Sequence, residues 1–270
     1  DFTTAKAAIG TLEFSLGNFE TAESILREIA DSPAGGDANI YFSLFAVYSN
    51  VGEYQLAMDA IEKVPPSPLK DGIDKLLAAQ QSQDIGVLLA TTAELAASDG
   101  SPPQWKILAA QVEYLAGDFE KSRQRLAKVY PVLFSENPEI NLQRVLPATL
   151  AAAALKKLGE TEQADRLLQL AQAIYESKWP DYQPSGVHYR LAELLAIKGD
   201  KDAAMRHLQA AYDEGFRLLW TDICYPMDGN PYFGELLADQ RFVALVEKIR
   251  AHNEQARQSI VAAHQQREQA

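Results

Sequence analysis

Little in this 270-residue chain belongs to the usual apparatus of catalysis or metal binding. A single cysteine, Cys224, excludes an internal disulfide and any cysteine-rich metal cluster, and its apolar neighbours in WTDICYPM suit a small buried hydrophobe, not a nucleophile. Histidine is scarce too: His188, His207, His252 and His264 are scattered through different helical stretches, so neither a metal site nor a cofactor is expected. The chain has no glycine-rich phosphate loop, no HExxH, no GxSxG and no aspartate ladder with calcium-loop spacing. Its paired acids, Asp99 with Glu94, Asp200 with Asp202 and Glu160 with Glu162, fall at turns or in first helical turns, where they complement helix dipoles. The expectation is a chain that is not an enzyme.

Positive charge is in short supply as well. With 25 basic against 37 acidic residues the formal charge is −12, which repels phosphate backbones, so no direct nucleic-acid partner is expected. Long apolar runs are missing: the nearest, Val145 to Leu155, contains Pro147 and Thr149 and is too short to span a bilayer, which excludes membrane insertion. A soluble protein is expected, cytoplasmic in preference to periplasmic. The chain starts at Asp1 inside a helical pattern, without methionine or a signal-like stretch, and reads as a piece of a longer protein or a processed product.

What the chain has is repetition. LGNFETAESIL (Leu16 to Leu26) and VGEYQLAMDAI (Val51 to Ile61) lie 35 residues apart. Each opens on a turn glycine, Gly17 or Gly52, followed by an aromatic two positions on (Phe19, Tyr54). An alanine comes three later (Ala22, Ala57), and large apolar residues four and seven beyond it (Leu26 and Ile29, Ile61 and Val64). The phrase returns at Gly117, Phe119, Ser122 and Leu126, at Gly159, Ala164 and Leu168, and at Gly199, Ala204 and Leu208. Gly52 and Gly117 stand 65 positions apart, room for a degenerate copy whose turn falls at Asp84, with Leu76 and Leu77 on the first helix and Leu89, Ala93 and Ala96 on the second. Pro33, Pro65 with Pro66, Pro131 and Pro180 punctuate the ends of copies. A period of about 34 residues with fixed small and large positions is the mark of stacked helical hairpins.

With these columns the chain resembles the tetratricopeptide repeat family over residues 3 to 215. The first-helix columns depart from it: Tyr41, Leu44 and Phe45 stand for the expected Trp, Leu and Gly, and Ala110 replaces the glycine that Gly10 keeps. The resemblance implies an all-α, right-handed superhelical solenoid of about six hairpins over residues 1–215, with capping helices over 216–270. From Gly215 the period fails. A turn cluster at Asp228 to Pro231 leads to a helix that Asp239 can cap, with Trp220, Phe233, Leu236 and Leu237 available to cover the last hairpin. Gly215, Phe216 and Trp220, then Leu237, Asp239, Arg241 and Phe242, are similar to a phrase that follows such repeats in bacterial multidomain signalling proteins.

In the resembled family the first helices line a concave groove that holds a peptide. Mapped here, that groove offers Phe14, Phe42, Asn50, Gln111, Tyr114 and Tyr189: rings for an apolar segment and amides for its backbone. The same rings also suit packing inside the hairpins. The reading is a non-catalytic module for a protein or peptide ligand, scaffolding or sensory, within a larger bacterial signalling protein. A competing reading is self-association that positions a missing effector domain for DNA binding, cyclase or kinase activity. Its surface would be a homodimer through the C-terminal helix, where Ile249, Ala256, Ile260 and Ala263 form a thin apolar stripe.

Overall fold

The computed structural model describes residues 2–32, 35–97, 100–178, 185–220 and 225–269. Among them the fold is all-α, with thirteen α-helices, three short 3-10 turns and no strand. The first twelve helices follow one another in pairs: α1 (Phe2–Ser15) and α2 (Phe19–Ala30), α3 (Ala38–Val51) and α4 (Tyr54–Glu62), α5 (Pro68–Gln81) and α6 (Ile85–Ala96), α7 (Pro103–Leu115) and α8 (Phe119–Val129), α9 (Val145–Leu158) and α10 (Thr161–Lys178), α11 (Ser185–Lys198) and α12 (Lys201–Asp213). The long helix α13 (Gln240–Glu268) ends the described chain.

Each strong copy of the repeated phrase makes the same turn. Gly17, Gly52, Gly117, Gly159 and Gly199 all adopt φ between 76° and 90°, a left-handed conformation that glycine enters without steric cost. In every case the next residue donates its N–H five residues back: Asn18 to Glu13, Glu53 to Tyr48, Asp118 to Glu113, Glu160 to Leu155 and Asp200 to Leu195. This closure satisfies carbonyls that the end of a helix leaves open, and it turns the chain into the next helix. The degenerate copy reaches a turn with other chemistry. Gln83 takes the left-handed position at φ 54°, and the Asp84 side chain caps α6 by accepting the Gly86 N–H at 2.7 Å.

The small and large columns both face inward. Ala22, Ala57, Ser122, Ala164 and Ala204 are at most 2% exposed, and Leu26, Ile61, Leu126, Leu168 and Leu208 at most 1%. Serine fits the small column by size but brings a hydroxyl, and Ser122 Oγ has no hydrogen-bond partner among the described residues. Ser122→Ala is therefore expected to stabilise the fold by about 1 kcal/mol, because an unsatisfied buried hydroxyl costs that much and alanine is the better helix former. A higher midpoint in a urea melt checks it.

By compactness the chain divides into two units. One unit comprises Asp1–Lys70, Leu208–Asn230 and Leu237–Ala270; the other comprises Asp71–His207 and Pro231–Leu236. In the second unit α7 packs on α8 and α9, and α9 is further surrounded by α10 and α11. That position explains the run from Val145 to Leu155: apart from Leu146, which is 48% exposed, every residue of the run is buried. In the first unit α1 lies on α2, α3 on α4, and α2 on α3, while α13 lies across α2 and α3. The C-terminal segment thus parts company with its expected role. Phe233 does lie against a late hairpin, edge-on to Tyr189 of α11, but α13 covers early helices instead. Asp239 caps α13 as the sequence leads one to expect, accepting the Arg241 N–H at 2.8 Å.

Candidate functional site

The six residues mapped to a peptide groove fall three to each unit, and their burial separates them. In the second unit Tyr114 (α7) and Tyr189 (α11) are core residues, 5% and 1% exposed. Tyr114 stands 5.7 Å from the ring of Tyr232 and 5.2 Å from that of Phe119, and Tyr189 stands 5.8 Å from that of Phe233. The chain's own Tyr232 and Phe233 therefore fill the space beside the two tyrosines, and burial pushes the Tyr114 phenol up to about 12. Gln111 is half-buried.

In the first unit Phe14 (α1) and Phe42 (α3) are half-buried, whereas Asn50 (α3) is 4% exposed and fully engaged. Its Nδ2 donates to the Ala46 carbonyl at 3.0 Å, its Oδ1 accepts the Trp220 N–H at 3.0 Å, and its own carbonyl accepts Asn253 Nδ2 at 2.9 Å. Asn253 donates also to the Arg217 carbonyl at 3.1 Å. Asn50 and Asn253 thus act as a polar clasp joining α3, α13 and the segment after α12; neither amide is offered to a ligand.

The most concentrated polar chemistry is at a residue the sequence reading passed over. Glu23 of α2 is 2% exposed, and its Oε1 accepts from Tyr48 Oη of α3 at 3.0 Å, from His264 Nε2 at 2.9 Å and from Arg267 Nη2 at 2.9 Å, the last two on α13. Arg27, one turn on from Glu23, places Nη2 3.3 Å from His264 Nδ1 and Nε 3.7 Å from Asp31. These partners fix the tautomer. Arginine only donates, so Nδ1 of His264 must accept, and the ring is neutral with its proton on Nε2, directed to Glu23. Burial first, and Arg27 second, hold the His264 pKa below the ordinary imidazole range. Burial, then the Glu23 carboxylate, raises the Tyr48 phenol well above its usual value. Further along, Arg257 of α13 pairs with Glu53 at 2.9 Å, and His252 Nε2 lies 2.9 Å from the Gly17 carbonyl. The apolar stripe once assigned to a second copy faces the same way: Ile249, Ala256 and Ile260 are at most 2% exposed, the last two in the core with Phe19, Leu26 and Tyr48. That stripe is spent inside the chain, so it is not the surface by which the C-terminal helix could meet a second copy.

Arg27 also reaches the surface. A depression of about 300 Å³ between α2, α3 and α4 is lined by Arg27, Tyr41, Leu44, Leu56, Ala60 and Lys63, with Asp59 and Glu62 among its charged residues. Such a volume is at the lower end for small-ligand sites, and its wall is one side chain away from Glu23.

The histidines are less scattered than the sequence suggests. His188 of α11 and His207 of α12 meet with Nδ1 atoms 2.8 Å apart, one donating and one accepting, and burial followed by the charge of His188 lowers the His207 pKa. No group of three or more metal-ligating side chains forms among the described residues. Cys224, Asp99, Pro33 and Pro180 lie outside the described residues. No helix there is long and apolar enough to cross a membrane. No family model matches the chain, and no curated protein is significantly similar to it.

Proposed function

We propose that the chain is a non-catalytic binding module of tetratricopeptide-like hairpins, serving as the scaffolding or sensory part of a larger bacterial signalling protein. The observation that carries this reading is the way first helices line up. Besides packing within its pair, α1 meets α3, α7 meets α9, and α9 meets α11, the side-by-side arrangement that a hairpin solenoid uses to build a ligand-binding face. The recurrent left-handed glycine turns support it independently, and so do the buried Phe242 and the Asp239 cap within the phrase that resembles one in signalling proteins.

With Tyr114 and Tyr189 occupied by Tyr232 and Phe233, the ligand rings that remain are Phe14 and Phe42 of the first unit. An apolar peptide segment is the ligand class that suits them. The test is to select peptides on the purified chain from a displayed library, then titrate the best against wild type and Phe42→Ala. Affinity is expected to fall by about 1 to 3 kcal/mol in the variant, as for an aromatic anchor, and to depend little on salt. Equal affinity for both proteins, with Phe42→Ala melting normally, excludes Phe42 from the binding face.

A further inference from the structure

Helix α1 is apolar on two faces, and only one of them is covered. Toward the core, Gly10 is buried against Leu26, and Ala7 and Phe14 pack on the first unit's cluster. On the opposite face Phe2, Ala5, Ile9, Leu12 and Leu16 are all exposed, Phe2 at 83%, Leu12 at 57% and Ile9 at 50%. The stripe runs to the end of the helix, since the Leu16 N–H still bonds to the Leu12 carbonyl. Its intervals are 3, 4, 3 and 4 residues. That regular alternation is the seam of a helix facing another helix along its length.

We propose that this seam pairs with the same seam of a second copy of the chain, antiparallel and about a two-fold axis. Charge selects both the occupant and the direction. In the register set by Phe2, Ile9 and Leu16 at one seam position and Ala5 and Leu12 at the other, Lys6 and Glu13 hold the same flanking position one heptad apart. In an antiparallel pair that position faces its own counterpart. With Ile9 packed on Leu12 of the second copy, Lys6 comes opposite Glu13 of the second copy, and the two-fold axis repeats the pair. Lys6 also pairs with Glu28 of its own chain, so it would stand between two carboxylates, and Glu13, which accepts from Asn18 Nδ2 at 2.7 Å, is half-exposed and able to turn. The seam is one helix, about 21 Å long, so the contact is smaller than a standard interface and the dimer is weak and reversible.

Sedimentation velocity on the whole chain, from low to high micromolar concentration, is the experiment. A concentration-dependent monomer–dimer equilibrium is expected. Leu12→Glu changes an exposed residue and should melt like wild type, yet it sets an unpaired charge into the seam and should abolish the dimer. Lys6→Glu and Glu13→Lys should each weaken association, and the double reversal should restore it. A monomer at every concentration overturns the proposal, and would leave the seam to a different partner. A dimer indifferent to Leu12→Glu overturns it too. A dimer that the double reversal fails to restore overturns the antiparallel pairing.

Discussion

Replacing Glu23 by alanine is expected to cost about 3 kcal/mol, the scale on which breaking a buried ion pair leaves its partners uncompensated. The variant strands the Tyr48 hydroxyl and the His264 proton and leaves Arg27 and Arg267 without their shared carboxylate. The figure stands at the low end for such a pair because the Arg267 side chain is 42% exposed and can turn to water. Chemical denaturation reads the loss. Acid is expected to act in the same direction. His264 is held neutral in the fold, so the released ring binds protons more readily, and the stability it contributes is present at neutral pH and declines as pH falls below about 6.5, until the folded ring itself titrates. The groups facing it are Glu23 and Arg27 from α2, Tyr48 from α3 and Arg267 from α13. Protonation would add a third cation around one carboxylate and put a second N–H against Arg27. Amide hydrogen-exchange protection over residues 253–267, taken relative to the intrinsic rate at each pH, should fall between about pH 7 and pH 5 while α9 stays protected, and this fall should vanish in His264→Leu. Because His207 is also held low, by burial and by His188, acid is expected to loosen α11 and α12 as well, and exchange resolved by residue separates the two effects.

The second large effect concerns two glycines that share a conformation and differ in surroundings. Gly17 and Gly52 have φ of 76° and 82°, so alanine at either is strained by about 1 kcal/mol. At Gly52 a methyl group meets nothing within 4 Å, and the strain is the whole cost. At Gly17 the added carbon would lie 2.6 Å from the Gly215 carbonyl oxygen and 2.3 Å from Arg217 Cγ. Arg217 is not free to swing away: its guanidinium donates to the Tyr212 and Phe216 carbonyls and lies 3.8 Å from the centre of the Tyr212 ring. Gly17→Ala is therefore expected to lose about 3 kcal/mol, overpacking added to backbone strain, against about 1 for Gly52→Ala. Similar midpoints for the two variants in parallel thermal melts would show that the α1–α2 turn and the Gly215 turn do not press together.

Sequence periodicity was a good guide wherever a residue's neighbour is close in the chain. The alanine and leucine columns, the glycine turns and the cap at Asp239 follow from spacings of three to seven residues, which one helix or one hairpin satisfies by itself. It was a poor guide wherever the neighbour is remote. The stripe of Ile249, Ala256 and Ile260 says which side of α13 is apolar and cannot say what covers it, so a second copy was as good an expectation as Phe19 and Leu26 of the same chain. Glu23 was passed over because glutamate on a helix reads as surface charge. A signal existed: Glu23 lies four residues after Phe19 and three before Leu26, inside the buried arc, where a carboxylate needs partners. Tyr114 and Tyr189 were placed on the right helices, but rings facing a groove and rings facing a returning segment have the same spacing. Asn50 shows the same ambiguity for an amide.

The partner that Glu23 finds in His264 lies 241 residues further along the chain. During synthesis the first two hairpins described here leave the ribosome well before α13, with the α2 and α3 surfaces destined for Ala256 and Ile260 still open to water and a buried-type carboxylate still seeking its donors. A helix made late thus completes a surface made early. Until α13 is made that face stays exposed, and covering it waits on closing a loop of 241 residues.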